Sequence, residues 1–309
     1  MKKNYQIVLL FLAVFAIACT SPDKTPFPKA SDYNFFVVSD MGMTGEFSPI
    51  ATAKEVSKLA DELKPRFVIN SGDMFHDVGV KDTADALWDI GFEQLFEGPN
   101  LNLNFYGTLG NHEYYGNPQA LVDYSLKSKR WKMPARYYTV VKQIDAKNSL
   151  RIVVLDTSPF LEKYRAKSAY KAVLTQDPQK QVVWLDSVLN ASHETWKIVV
   201  GHHPIYSTMF GDHGNTTEVQ KAVEPLLKKY NVDFYFAGHV HTFQHNQADG
   251  VDYIVTTSGS KKRFANPWLN NKFYAKSLGF TLCSITSSGF RVSFVNEKGE
   301  EIYSYLKKH

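Results

Sequence analysis

Five short turns carry side chains suited to holding metal ions: Ser39 Asp40 Met41 Gly42; Gly72 Asp73 Met74 Phe75 His76; Gly110 Asn111 His112 Glu113; Gly201 His202 His203 Pro204; and Gly238 His239 Val240 His241. Each begins where an apolar run ends, passes a small residue and delivers Asp, Asn or His. Eight of the ten histidines lie in or close to these turns, with only His193 and His309 elsewhere. Taken singly, the turns say little. A Gly-Asp pair is usually a turn, a Gly-Asn-His a loop, and one buried His a satisfied structural residue. Five in order, each after a strand, point instead to one metal site, because ligands bind in the crevice beyond the carboxyl ends of strands in α/β sheets.

The elements that must position these turns are legible as short apolar runs alternating with amphipathic segments, the pattern of an α/β fold. Strands are expected at Phe35 to Val38, Phe67 to Asn70, Asn104 to Leu109, Arg151 to Leu155, Lys197 to Val200 and Phe234 to Ala237. Helices are expected at Pro49 to Leu63, Thr83 to Phe96, Gln179 to Leu189 and Thr217 to Lys229. From Asp252 onward the chain reads as strands alone, at Tyr253 to Thr256, Thr281 to Ile285 and Arg291 to Phe294, most simply buried as a second sheet packed on the first. No linker, repeat or low-complexity tract interrupts residues 33–309, which read as one domain. With 309 residues, 44% of them hydrophobic, a substantial core is available. A net charge of +4, from 35 basic and 31 acidic residues, concentrates no field of the kind that neutralises a nucleic-acid backbone, so nucleic acid is not an expected partner.

The N-terminus reads as a targeting segment: Lys2 and Lys3 precede an apolar run from Ile7 to Ala18, shorter than the roughly 20 residues needed to span a bilayer. The stretch Ala16 Ile17 Ala18 Cys19 resembles the lipobox of bacterial lipoproteins, with Ala16 where Leu is usual. That resemblance implies a signal peptide over 1–18, lipidation of Cys19, a tether over 19–32 and an exported, membrane-anchored protein facing the periplasm or cell surface. The other cysteine, Cys283, sits in an apolar stretch and reads as a small buried hydrophobe.

The ordered set of turns resembles the calcineurin-like metallophosphoesterases and, within them, the purple acid phosphatases, over Asn34 to about Ser260. The resemblance implies a four-layer sandwich of two mixed β-sheets flanked by helices. It also implies two metal ions, with Asp40 and His241 on the first, Asn111, His202 and His239 on the second, and Asp73 bridging both. Two cations roughly 3.5–4 Å apart repel and need a shared carboxylate, while neutral imidazoles and an amide leave enough positive charge to acidify a bound water. The implied reaction is hydrolysis of a small phosphorylated substrate, a phosphate monoester, by a metal-bound hydroxide. A phosphodiesterase or nucleotide pyrophosphohydrolase on the same site is the alternative, and a non-catalytic, lipid-tethered binding protein the reading from another class.

One position departs from the family. Most metallophosphoesterases have Asp-x-His in the first turn, whereas the purple acid phosphatases have Asp-x-Gly there and Gly-Asp-x-x-Tyr in the second. This chain has Gly42 in the first and His76 where the Tyr would stand. His76 is therefore expected to restore the missing imidazole on the first metal, and the absence of a phenolate to favour divalent ions such as Fe, Mn or Zn. His112 is implied as the group that protonates the leaving oxygen or steadies the phosphate, and His213 as a phosphate contact. Glu113 reads either as an orienter of His112 or as a surface carboxylate. His203 and His245 read as packing or surface residues, Asp156 as structural, and Lys261, Lys262 and Arg263 as a solvated run.

Overall fold

The structure, a computed structural model, describes residues 26–42, 48–76, 78–209, 211–263 and 271–309. The expected signal peptide and Cys19 lie outside the described residues. Strands form where the apolar runs stand: β1 (Tyr33–Val38), β2 (Val68–Asn70), β3 (Phe105–Tyr106), β4 (Trp131–Lys132), β5 (Tyr138–Gln143), β6 (Ser149–Val154), β7 (Trp196–Val200), β8 (Phe234–Ala237), β9 (Phe243–Ala248), β10 (Val251–Val255), β11 (Asn271–Ala275), β12 (Gly279–Thr286), β13 (Gly289–Asn296) and β14 (Glu301–Lys307). They sort into two mixed seven-stranded sheets, ordered β14-β13-β12-β1-β2-β3-β4 and β11-β9-β10-β8-β7-β6-β5. Each sheet has a parallel run, β1 to β4 from the middle of the first sheet to its edge and β6, β7, β8 and β10 at the centre of the second. These parallel strands are almost wholly buried, as continuous apolar runs such as Phe35–Val38 and Phe234–Ala237 require.

The sheets pack face to face through aromatic rings. Trp196 meets Phe290 edge-on at 5.4 Å, Phe234 meets the same ring at 4.6 Å, and Phe243 stacks on Phe294 at 4.6 Å. Burying each such side chain contributes about 1.5–3 kcal/mol. Helices flank the sheets. The helix Ile50–Leu63 presents Ala53, Val56, Leu59, Ala60 and Leu63 on one stripe, and Pro178–Asn190 starts at Asp177, whose side chain caps the amides of Gln179 and Lys180.

Two expectations need correction. Thr83 to Phe96 does not form an α-helix; it is a series of turns with one π-helical turn at Asp89–Glu93. Asp82 and Asp85 divert the backbone, since their carboxylates accept from the amides of Ala84 and Leu87 at 2.7 and 3.0 Å. The C-terminal strands do not build a second sheet of their own. Of the expected strands, β10 joins the second sheet, beside β8, where β11 also lies at the edge against β9, whereas β12 pairs antiparallel with β1 and extends the first. Strand β1 offers an otherwise unpaired edge, and β12 with β13 and β14 covers it. Among the described residues no helix is long and apolar enough to cross a membrane.

Candidate metal centre

The carboxyl ends of β1, β2 and β3 in one sheet and of β7 and β8 in the other turn toward a common point. The turns are tied directly to one another. Asp40 N donates to the Gly72 carbonyl, Met41 N to that of Asp73, and Gly238 N to that of His202, each at 3.0 Å. Four candidate ligands hold a left-handed backbone: Asp40 at φ 49°, Asp73 at 51°, His239 at 71° and His241 at 57°. Each costs about 1–3 kcal/mol at a non-glycine residue and persists only where its surroundings over-determine it. Glycine beside them serves closeness. A Cβ on Gly110 would collide with the Asp73 carboxylate, and one on Gly238 with Ser39 and Asp40.

Side chains converge in overlapping groups whose ligating atoms lie within 4.8 Å of one another: Asp40, His76 and His241; Asp40, Asp73 and His202; Asp73, His76 and His112; and His202, His203 and His239. Asp40 Oδ1 is 3.1 Å from His241 Nε2, while its Oδ2 accepts from Ser39 Oγ at 2.5 Å and from His239 N at 3.0 Å. Asp73 Oδ2 is 3.1 Å from His202 Nε2, and its Oδ1 accepts from His112 N at 2.8 Å. His202 directs Nδ1 to the Ser71 carbonyl at 3.0 Å, the carbonyl contact that fixes a ligating imidazole with Nε2 facing its metal.

The charge states suit cations. Burial alone would raise both carboxyls, but His241 brings Asp40 below its usual range, and His202 with His112 brings Asp73 well below. Burial pushes His76 down to about 4, against the pull of Asp73, and lowers His239 strongly, so both imidazoles are neutral at pH 7 with a lone pair to offer. Burial opposes a proton on His202 too, yet Asp73 beside it carries that ring up to about 9, so a cation must displace this proton. Two buried atoms, Asn111 Oδ1 and His241 Nδ1, have no hydrogen-bond partner among the described residues. Two ionised carboxylates, an amide oxygen and clustered imidazoles in a dry crevice fit a pair of cations.

The remaining histidines separate by what their rings touch. His112 stacks on His76 at 3.9 Å and is 23% exposed where Asp73 is 1%, so it faces the open side of the crevice. His213 lies 5.0 Å from the His239 ring. His203 has its ring nitrogens on Thr157 Oγ1 at 2.8 Å and Tyr164 OH at 3.2 Å, which leaves it a packing role despite its place beside His202. His245 is held at 2.8 Å by both Tyr303 OH and Asp252 Oδ1, on strands leading away from the crevice. Asp156 accepts from the Tyr114 hydroxyl, and its backbone exchanges hydrogen bonds with the Gln181 amide.

Two residues have parts the chain's local pattern does not announce. Glu113 neither orients His112 nor lies on the surface. It is fully buried, and its carboxylate accepts from Asp73 N at 3.0 Å, Gly110 N at 2.7 Å and Phe75 N at 3.2 Å, stapling the second turn to the third. Burial and the Asp73 charge push it up to about 7, while those amide donors favour its ionised form. Glu113→Gln puts an amide NH2 where an acceptor stood, and orphaning the buried donors is expected to cost about 2–3 kcal/mol. Thermal unfolding of the metal-free protein checks this, and an unchanged midpoint would contradict the staple. Arg263 is not part of a solvated run: it is half-buried, its amide donates to the His241 carbonyl at 3.0 Å, and its guanidinium contacts His213 Nε2. The signal was its place just after Ser258 and Ser260, whose hydroxyls bond the Asp40 carbonyl at 2.7 and 2.9 Å.

Carboxylates, amide and imidazoles gathered where two mixed sheets bring their strand ends together define a metal-dependent phosphoesterase, a hydrolase built around a dinuclear site. The chain belongs to the calcineurin-like phosphoesterase family, whose model matches residues 33–243. Among its relatives, purple acid phosphatase 7 of Arabidopsis thaliana is 30% identical over 97% of this chain and 95% of its own length. The tartrate-resistant acid phosphatase type 5 of Rattus norvegicus is 29% identical over 96% and 94%. Two solved structures share the fold. GAP50, the anchor in the inner membrane complex of Plasmodium, superposes with a TM-score of 0.76 at 22% identity over 90% of both chains. A purple acid phosphatase from yellow lupin (Lupinus luteus) gives 0.62 at 17% identity over 91% of this chain and 54% of its own.

Proposed function

We propose that the protein hydrolyses small phosphate monoesters in the manner of an acid phosphatase, with Asp40, His76 and His241 on one cation, Asn111, His202 and His239 on the other, and Asp73 between them. The observation that carries this reading is the overlap of the donor groups at Asp40, Asp73 and His76, which form one continuous double site. Bound there, the metal pair supplies Lewis acidity toward the phosphate and a water acidified enough to attack phosphorus at neutral pH. The chain's own groups do the rest. His112, on the open side, meets the leaving oxygen and delivers a proton to it. His213 and Arg263 together offer donors to a phosphate oxygen on the side of His239. Elemental analysis of the purified protein, paired with chromogenic mono- and diesters, tests the reading. Two metal ions per chain and a preference for monoesters are expected; a preference for diesters would overturn the substrate assignment.

His76 in the family's Tyr position supports a divalent pair without a phenolate ligand, so the metal-loaded, active protein is expected to be colourless. His76→Tyr, loaded with ferric iron, is expected to gain a visible charge-transfer band. Visible absorbance of the parent would show that His76 does not replace the phenolate in this way. The sequence from Lys2 to Cys19 supports export and lipid attachment at Cys19. Mass spectrometry of the membrane fraction is expected to find a diacylglyceryl-modified N-terminal Cys19, and an unmodified soluble protein would exclude it.

A further inference from the structure

The rings beside the crevice form a continuous arc. From His112 it passes to Tyr115 at 5.4 Å, to Tyr170 at 4.7 Å, to Tyr164 at 4.3 Å and to His203 at 5.5 Å, and it closes on the candidate ligand His239 at 4.6 Å. Tyr170, Tyr164 and His203 are buried, whereas Tyr115 is 45% exposed and is the most open member of the arc. Its orientation reverses the usual one. A surface Tyr ordinarily buries its ring and wets its hydroxyl. The Tyr115 hydroxyl instead shares a hydrogen bond of 2.6 Å with the hydroxyl of buried Tyr170, so what Tyr115 shows to solvent is ring carbon. The backbone beneath it is fixed as well. Tyr115 closes the 3-10 turn Glu113–Tyr115 with its N–H on the His112 carbonyl at 3.1 Å, and Asn117 N donates to the Val80 carbonyl at 2.7 Å. Between them, Gly116 packs so closely on Val78 and Val80 that a Cβ there would collide with their backbone. A ring held at both its hydroxyl and its backbone loses little freedom when a substrate touches it.

We propose that Tyr115 is a specificity-determining residue: its ring is a platform for the leaving group and selects phosphate monoesters that carry a planar aromatic ring next to the ester oxygen. This rests on the monoester reading above, in which His112 meets the leaving oxygen. A ring attached at that oxygen comes within contact of a partner 5.4 Å from the His112 imidazole. Aromatic pairs favour offset or edge-to-face contacts with centroids about 4.5–7 Å apart and gain affinity beyond the area they bury. A saturated ring of the same size has no flat face to offer, so the platform distinguishes the two.

The test compares benzyl phosphate with cyclohexylmethyl phosphate, whose leaving alcohols match in size and closely in acidity, so that the chemistry at phosphorus is the same for both. The parent is expected to favour the benzyl ester in kcat/KM by roughly 3–10-fold, the gain typical of one aromatic pair. A merely apolar surface would favour the cyclohexyl group, the more apolar of the two. Tyr115→Leu, which keeps an apolar side chain, is expected to bring the ratio to one or below, and Tyr115→Phe, which keeps the ring, to retain the preference. Calorimetric binding of the corresponding phosphonates, in which CH2 replaces the ester oxygen and nothing is hydrolysed, is expected to show the same pattern in the metal-loaded protein. A parent without the preference, or a ratio that Tyr115→Leu leaves as in the parent, would overturn the proposal. Equal loss of the preference in Tyr115→Phe and Tyr115→Leu would also overturn it, because the hydroxyl and not the ring would then carry the effect. Failure of the monoester reading has a separate signature: a parent that holds two metal ions and hydrolyses neither ester would overturn that reading, while the phosphonate pair still reports on Tyr115.

Discussion

Asp73→Asn is expected to lower kcat/KM for a phosphate monoester by on the order of 10³, more than the 10–100-fold that loss of an outer partner costs at a metal site, while the protein stays folded. The reason is charge. Asp73 lies between the two donor groups, its Oδ2 at 3.1 Å from His202, and its neighbours hold it ionised despite complete burial. An amide of the same shape supplies no charge to offset the repulsion between two close cations, so one of them is lost. The fold survives because the turn is held by its backbone: Asp73 N remains on Glu113 Oε2 and Met41 N on the Asp73 carbonyl. Circular dichroism, metal content and steady-state kinetics on one preparation decide it. Turnover equal to the parent would end the two-metal mechanism.

His112→Asn is expected to reduce kcat by about 10²–10³ for an alkyl phosphate, within the range a positioned general acid contributes, with metal content unchanged. The imidazole is partly exposed, on the open side of the crevice, and its backbone is anchored through His112 N to Asp73 Oδ1, so the side chain can be changed without moving the turn. The loss should shrink for nitrophenyl phosphate, whose leaving group departs without a proton. An equal loss on both substrates would show that His112 steadies the phosphate instead of protonating the leaving oxygen.

The candidate metal-ligand turns were legible because each is a local event: an apolar run, a small residue, then a donor. The same locality explains the misses. Thr83 to Phe96 carries a helix-like pattern, with Trp88, Phe92 and Phe96 buried, but the carboxylates of Asp82 and Asp85 capture its first amides and it closes only one π turn. Glu113 looked like a loop acid, since nothing near it in the chain says that Asp73 N, 40 residues earlier, points at its carboxylate. Arg263 looked like one charge among three, and only the hydrogen bond of its amide to the His241 carbonyl turns it inward.

The sequence by itself determined the strands, the donors at their ends and the single departure at His76, because strand propensity, a tight turn and ligand chemistry are each written within a few consecutive residues. Tertiary structure alone decided that β12 closes the edge of β1, that Ser71 meets His202 across 131 residues, and that Glu113 ties the Asp73 turn to the Gly110 turn. Those outcomes depend on two sheets packing at one relative placement, and that placement is the summed result of contacts such as Phe290 against Trp196 and Phe234, which no short stretch of chain contains.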